Sequence, residues 1–241
     1  MISGLYSAAT ALNASELNHE IISHNLANVN VPGYRRSFLS FQEFENALTE
    51  AEQNETPVGY GTLVERQSVD FTPGVMTRTG RPFDVAINGD GFFAIDGPDG
   101  DLFTRNGSFH LTATGQLVTG EGYPLQGGPI IPVDADPSSI YIGMDGSVKA
   151  GGAVIGQISV VSFEDNSQLK QVGQALFEAP NNARPQPSEA TLEQGVRENS
   201  NVIAVDEMVS LVHTMRSYEA AQRVLKTIDE ALSNNTNPQT G

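Results

Sequence analysis

The chain contains four histidines, His19, His24, His110 and His213, the residue type best suited to acid–base and metal chemistry near neutral pH. No pair of them has the spacing of a helical His-Glu-x-x-His metal motif, and neither a Gly-x-Ser-x-Gly elbow nor a phosphate-binding loop occurs. His19 falls on the apolar side of a predicted helix, where a packing role is typical. The sequence therefore predicts no catalytic residue, no cofactor and no metal site, and we interpret the chain as a non-enzyme.

A run of acidic residues, Asp96, Asp99 and Asp101, lies among glycines and superficially resembles a calcium-binding loop. Such a loop needs glycine at its sixth position and a bidentate glutamate at its twelfth. Counted from Asp96, those positions hold Asp101 and Gly107. The turn chemistry of Asp and Gly explains this segment as a hairpin loop.

Composition excludes several classes of partner. The formal net charge of −16 repels phosphate, so we expect binding neither to nucleic acid nor to anionic membrane surfaces. No run of about 18 apolar residues occurs, which argues against membrane insertion. The first basic residue is Arg35, so an exported chain of this kind is expected to leave the cytoplasm without a cleaved signal peptide.

Two helical segments bracket the chain. From Ile2 to Asn28 apolar and small residues recur every three or four positions, which predicts one side of a helix ending before Pro32 and Gly33. In a second segment, from Ala204 to Leu225, mostly apolar residues recur in alternating steps of four and three positions, which is the spacing of a coiled-coil seam. The large seam residues are Leu5, Leu12, Ile22 and Leu26 in the first helix and Met208, Leu211, Met215, Tyr218 and Leu225 in the second.

Between the helices the pattern changes to short alternating strands with Asp-Gly, Asn-Gly and Thr-Gly turns about every ten residues. The run Phe92 to Ile95, followed by Asp99-Gly100 and Leu102 to Thr104, predicts a hairpin. Further turns are predicted at Thr114-Gly115 and Asp145-Gly146. These signals predict an antiparallel sandwich or barrel.

The fold class is therefore α+β, with N- and C-terminal helices that pair as in a coiled coil and an antiparallel β-domain inserted between them. The predicted boundaries follow the changes in pattern. They are an N-terminal helix at 1–30, an extended connector at 31–71, a β-rich domain at 72–180, a second connector at 181–199, and a C-terminal helix and tail at 200–241.

Periodicity alone leaves open whether the two seams form the core of an ordinary monomer. They are narrow and interrupted by Ser15, His19 and Gln222, so a single helix pair would bury little apolar area for the residues it orders. We therefore predict that the helices are completed by neighbouring copies. A secreted β-sandwich adhesin or binding module is the alternative, and an enzyme with an unrecognised site is a second one; neither uses heptad ends.

Several blocks of the chain resemble the flagellar axial proteins, the rod and hook subunits. The blocks run in order along nearly the whole chain and read NLANVNVPGYR from Asn25, FDVAINGDGFF from Phe83, TRNGSF from Thr104 and QGVRENSNV from Gln194. In the first block a helix end passes into a Pro-Gly-aromatic turn, here Pro32, Gly33 and Tyr34. The single small β-domain resembles a rod subunit rather than a hook subunit, and the distal and proximal rod types both remain open.

The resemblance implies a structural subunit of the bacterial flagellar basal-body rod. It implies helical self-association, contacts with other rod and hook proteins, and export by the flagellar apparatus to a periplasmic rod. The terminal helices would form an inner layer around the export channel and the β-domain an outer one. The expected assembly residues are those of the seams, with Asn25 and Asn28 at the helix end and Pro32, Gly33 and Tyr34 in the turn.

Overall fold

The computed structural model describes residues 2–43, 62–132, 134–180 and 182–236, with backbone alone for 2–6, 41–43, 62–66 and 232–236. Residues 44–61 of the first predicted connector, and residues 237–241 of the tail, lie outside this description. By its internal contacts the chain forms two compact units. The fold is α+β: two long helices at the two ends, and antiparallel strands between them.

The first unit comprises residues 1–27, 37–70 and 203–241. It holds helix α1 (Ile2–Ala27), the antiparallel strands β1 (Ser37–Glu43) and β2 (Thr62–Val69), and helix α2 (Ala204–Thr236). Asp206 and Glu207 in the first turn of α2 favour its start, because carboxylates there complement the helix dipole. Neither of the two described helices has the length and hydropathy needed to span a membrane.

The second unit comprises residues 28–36 and 71–202. Its largest sheet has six strands in the order β13 (Lys170–Gln171), β14 (Leu176–Glu178), β6 (Asp101–Thr104), β5 (Phe92–Asp96), β12 (Val160–Ser162) and β15 (Gln186–Pro187). A three-stranded sheet has the order β11 (Ala153–Gln157), β10 (Ser147–Ala150) and β9 (Ile140–Ile142). Three separate pairs complete the unit: β16 (Thr191–Gln194) with β4 (Val85–Asn88), β17 (Val196–Glu198) with β3 (Met76–Arg78), and β7 (His110–Leu111) with β8 (Leu117–Val118).

Strand β5 lies at the centre of this unit and is buried on both faces. Phe93 and Ile95 belong to the main aliphatic core, with an edge-to-face contact between the rings of Phe93 and Phe109 at 5.1 Å. Phe92 points to the opposite face, where its ring contacts those of Phe71 and Phe177 at 5.8 and 5.9 Å. A central strand covered on both sides fixes its register, because a slip by one residue would exchange the two faces.

The hairpins predicted from turn chemistry are present. Strands β5 and β6 pair around Asp99-Gly100, β7 and β8 around Thr114-Gly115, and β9 and β10 around Asp145-Gly146. Strands also occur within both segments that the sequence assigns to connectors. β1 and β2 pair within 31–71, and β15, β16 and β17 lie within 181–199. β15 pairs with the nearby strand β12, whereas β16 and β17 pair with β4 and β3, which are far away in the sequence.

Candidate functional site

The two terminal helices run antiparallel and are joined by polar contacts. The Asn25 side chain donates to the carbonyl of Ser37 at 2.8 Å and accepts from the Ser37 N–H at 2.9 Å. It also donates to Oε2 of Glu207 at 3.4 Å, and all three residues are buried. One heptad away on each helix, Asn18 Nδ2 donates to Oγ1 of Thr214 at 2.9 Å. Repeated polar contacts at this spacing set the register of the helix pair.

The predicted residues of α1 contribute unequally to this contact. Ile22 is buried, and Leu12 and Leu26 are half-buried, whereas His19 is exposed. The side chain of Leu5 lies outside the described residues. Asn25, which the sequence places at the end of this helix, hydrogen-bonds to Ser37 and Glu207.

The predicted seam residues of α2 differ in how far they are buried. Leu211 and Leu225 are half-buried, on the side where Glu207 and Thr214 contact α1. Met208, Met215 and Tyr218 are more exposed. The exposed stripe, as we call one side of the first half of α2, has five apolar side chains that are 48–67% exposed: Val205, Met208, Val209, Val212 and Met215.

At its C-terminal end the exposed stripe reaches a groove between the two helices. The groove encloses about 450 Å³ and includes Met215 and Tyr218 from α2 and His19 and Glu16 from α1 among its lining residues. Among the described residues no group of three or more His, Asp or Glu side chains is arranged to hold a metal ion. The groove offers apolar volume and ring surface, which suit packing against another side chain.

The turn that follows α1 is held in the second unit. The Val31 N–H donates to the Asn28 carbonyl at 3.0 Å, and the Tyr34 N–H donates to the Val31 carbonyl at 3.3 Å, which gives two successive turns around Pro32. Gly33 has φ of 68°, the left-handed region that favours glycine. Asn28, Gly33 and Tyr34 are all buried.

A buried ionic cluster lies next to this turn. Glu198 Oε1 accepts from Arg35 Nη2 at 2.6 Å, and its Oε2 lies 3.2 Å from Arg105 Nε. Glu198 and Arg35 are each 1% exposed and Arg105 is 4% exposed. Burial lowers the pKa of Arg105, and the Glu198 carboxylate acts in the opposite direction. Arg105 also donates through Nη1 to the carbonyls of Gly89 and Gly91 at 2.9 and 2.7 Å, which ties the cluster to the β4–β5 loop.

Sequence reasoning missed Glu198, Arg105, Glu207 and Thr214 as packed residues. Charged side chains are almost never fully buried unless paired, so periodicity assigns them to the surface. For Glu198 and Arg105 the sequence did offer one indication of a role, because both residues lie within the blocks that carry the family resemblance.

Three family models match successive parts of the chain. "Flagella basal body rod protein" matches residues 5–35, "Flagellar hook protein FlgE/F/G D1 domain" matches residues 86–150, and "Flagellar basal body rod FlgEFG protein C-terminal" matches residues 193–237. The matched ranges include α1 and its turn, the centre of the second unit, and β17 with α2.

Curated relatives match over nearly the full length. The chain is 36% identical to the flagellar basal-body rod protein FlgG of Buchnera aphidicola subsp. Acyrthosiphon pisum, over 96% of this chain and 98% of that protein. It is 31% identical to FlgG of Bacillus subtilis, over 96% and 97%. It is 33% identical to the rod protein FlgF of Caulobacter vibrioides, over 88% and 87%. The chain therefore belongs to the family of flagellar basal-body rod proteins.

Proposed function

We propose that this chain is a non-enzymatic structural subunit that associates with copies of itself into the helical tube of a flagellar rod. The tube would surround the export channel and transmit torque through packed helices. Its partners would be other rod and hook proteins and the export apparatus. Its place would be the periplasmic rod. Family membership supports the flagellar role, and the exposed stripe supports the self-association.

The exposed stripe is the observation that carries the proposal. A helix at the surface of a single globular chain normally has one apolar side and one polar side. The first half of α2 has Leu211 on the side facing α1 and five exposed apolar residues on other sides. Contiguous exposed apolar surface marks an interaction site. The stripe lies on α2, whereas the groove continues from Met215 onto α1, so a contact between the stripe of one copy and the α1 side of the groove of the next would be heterologous, the type of contact that builds an open filament when its rotation does not close a ring.

The same reasoning assigns roles to the predicted seam residues. Leu12, Ile22, Leu26, Leu211 and Leu225 support the helix pair within the chain, while Met208, Met215 and Tyr218 face neighbouring copies. Methionine suits that second role, since its flexible side chain accommodates neighbours in slightly different positions along a helical lattice.

Polymerisation of the purified chain tests the proposal. The wild-type chain is concentrated and examined by sedimentation and electron microscopy, beside Val212→Asp in the centre of the stripe. Ser217→Asp, an exposed site on another side of α2, is the matched control. We expect tubes from the wild type and the control and none from Val212→Asp, because a carboxylate buried without a partner costs several kcal/mol, on the order of 3–5. Normal tubes from Val212→Asp, or no polymer of any kind from the wild type, would refute self-association through this surface.

A further inference from the structure

The chain crosses between its two units four times, at residues 27/28, 36/37, 70/71 and 202/203. Three segments of the second unit contain these crossings: residues 28–36, the stretch from Phe71 to β3, and the stretch from β17 to Val202. Although they are far apart in the sequence, all three meet around one residue, Glu198. This convergence is a property of the second unit alone, because every contact described below lies within it.

Backbone hydrogen bonds fix the first of these segments to the last. The Gly33 N–H donates to the carbonyl of Glu198 at 2.9 Å, and the Asn201 N–H donates to the carbonyl of Tyr34 at 3.4 Å. The side chain of Asn201 extends the link, since its Oδ1 accepts from the Arg36 N–H at 2.7 Å. The segment that follows α1 is therefore held against the segment that precedes α2.

The remaining segment is held by the side chains of Asn201 and Glu198. Asn201 Nδ2 donates to the carbonyl of Thr72 at 3.1 Å. Glu198 Oε1, already bound to Arg35, also accepts from the Gly74 N–H at 2.9 Å. One carboxylate thus binds the first segment through Arg35, the middle segment through Gly74, and the body of the unit through Arg105.

Stability alone does not explain an ionic cluster at this place. Two guanidinium groups share one carboxylate, and Nε and Nη1 of Arg35 are buried without an acceptor. Desolvating such charges is expensive, and well-packed apolar residues often serve stability equally well. Hydrogen bonds and ion pairs fix the direction and the distance between the two groups that they join, whereas apolar contacts do not. That property matters where chain segments must leave a unit at defined positions.

We propose that Glu198 is a positioning residue for assembly: through Arg35, Arg105 and Gly74 it fixes the crossing segments to one another, so that the chain leaves the second unit at defined points of that unit before neighbouring copies meet. The inference rests on the proposed function. Positions fixed in advance reduce the ordering cost of association, which is the general advantage of preorganisation.

Two conservative variants test the positioning role. Glu198→Asp keeps the charge but shortens the side chain by one methylene, about 1.5 Å, so that it cannot reach Arg35, Arg105 and Gly74 together. Arg35→Lys keeps the positive charge but replaces the planar fork by a single ammonium group. Glu193→Asp, the same substitution at an exposed site of the neighbouring strand β16, is the matched control.

The readouts separate position from stability. The chain has no cysteine, so Asn30→Cys and Val75→Cys, both at exposed sites on crossing segments, allow spin labels to be placed specifically. We expect a narrow distance distribution in the wild type and the control and a broadened one in Glu198→Asp and Arg35→Lys. Polymerisation by the unlabelled variants, corrected for the folded fraction from near-UV circular dichroism, is expected to slow by about tenfold or more.

Either measurement, the polymerisation rate or the distance distribution, can overturn the inference. A wild-type polymerisation rate, or an unchanged distance distribution in both variants, would show that Glu198 positions nothing. A rate that falls only in proportion to the folded fraction would reduce its role to stability. If the wild type itself does not polymerise, the proposed function fails, while the distance measurement still decides whether Glu198 fixes the crossing segments.

Discussion

Replacement of Gly33 by alanine tests the tight packing of the turn after α1, and Gly80 provides a control with nearly the same backbone. Gly33 has φ of 68° and Gly80 has φ of 71°. An added Cβ at Gly33 would lie closest to the backbone nitrogen of Asn106, and only 2.5 Å from the carbonyl carbon of Arg105. At Gly80 nothing lies within 4 Å of such a Cβ. The two substitutions therefore share the conformational cost and differ only in the steric one.

The magnitudes follow from this difference. A left-handed conformation costs an alanine roughly 1–2 kcal/mol, and this is the whole effect expected for Gly80→Ala. At Gly33 the added methyl also meets backbone that cannot rotate away, and overpacking of this kind costs a further ~1–3 kcal/mol. The total for Gly33→Ala is about 2–5 kcal/mol, or a fall in Tm of roughly 4–20 °C at 2–4 °C per kcal/mol.

Thermal and urea unfolding of both variants, followed by near-UV circular dichroism, measure these costs. The reasoning is refuted if Gly33→Ala is no less stable than Gly80→Ala, because the contact with residues 105 and 106 would then impose no constraint.

Two further predictions concern single hydrogen-bonding groups. Asn25→Ala is expected to destabilise the chain by about 2–4 kcal/mol, since it removes three buried hydrogen bonds, two to the backbone of Ser37 and one to Glu207, whereas Asn30→Ala at an exposed site should stay within ~0.5 kcal/mol in urea unfolding. Equal effects of the two would contradict the Asn25 contacts. Hydrogen bonds from the Ser147 hydroxyl and N–H lower the pKa of Asp145, so its stabilising effect is present above the ordinary pKa of about 3.9 and is lost as pH falls through the lower folded value. Ser147→Ala should raise the Asp145 pKa toward its ordinary value in an NMR titration, and an unchanged pKa would exclude the hydroxyl as a cause.

Local chemistry made a large part of the fold predictable. The β5–β6, β7–β8 and β9–β10 hairpins follow from Asp-Gly and Thr-Gly turns between alternating strands, and each involves residues close together in the sequence. The two terminal helices follow equally from periodicity and from Pro32 and Gly33 after the first. The pairing of β16 with β4 and of β17 with β3 joins segments more than a hundred residues apart, and no local pattern announces it.

The orientation of α2 shows the limit of periodicity. The heptad pattern selected Met208, Met215 and Tyr218 together with Leu211 and Leu225. In the structure Leu211 and Leu225 are half-buried on the side facing α1, together with the polar residues Glu207 and Thr214, which hydrogen-bond to Asn25 and Asn18. A helix that is apolar on more than one side satisfies the heptad pattern in more than one phase. Periodicity alone therefore does not select the side that faces α1, which in the structure is identified by the hydrogen bonds to Asn18 and Asn25.

The same polar contacts bear on how one chain could serve in an assembly. If all the apolar residues of α1 and α2 packed against each other within one chain, little apolar surface would be left to stabilise a contact with the next copy. Contacts through Asn25 and Asn18 fix the register of the helices while adding only about 0.5–1.5 kcal/mol per hydrogen bond. The apolar side chains of the exposed stripe remain available, and because each is 48–67% exposed, its full burial would add about 0.7–2 kcal/mol. Polar contacts would thus align the two helices within one chain, and apolar contacts with neighbouring copies would stabilise them in the assembly.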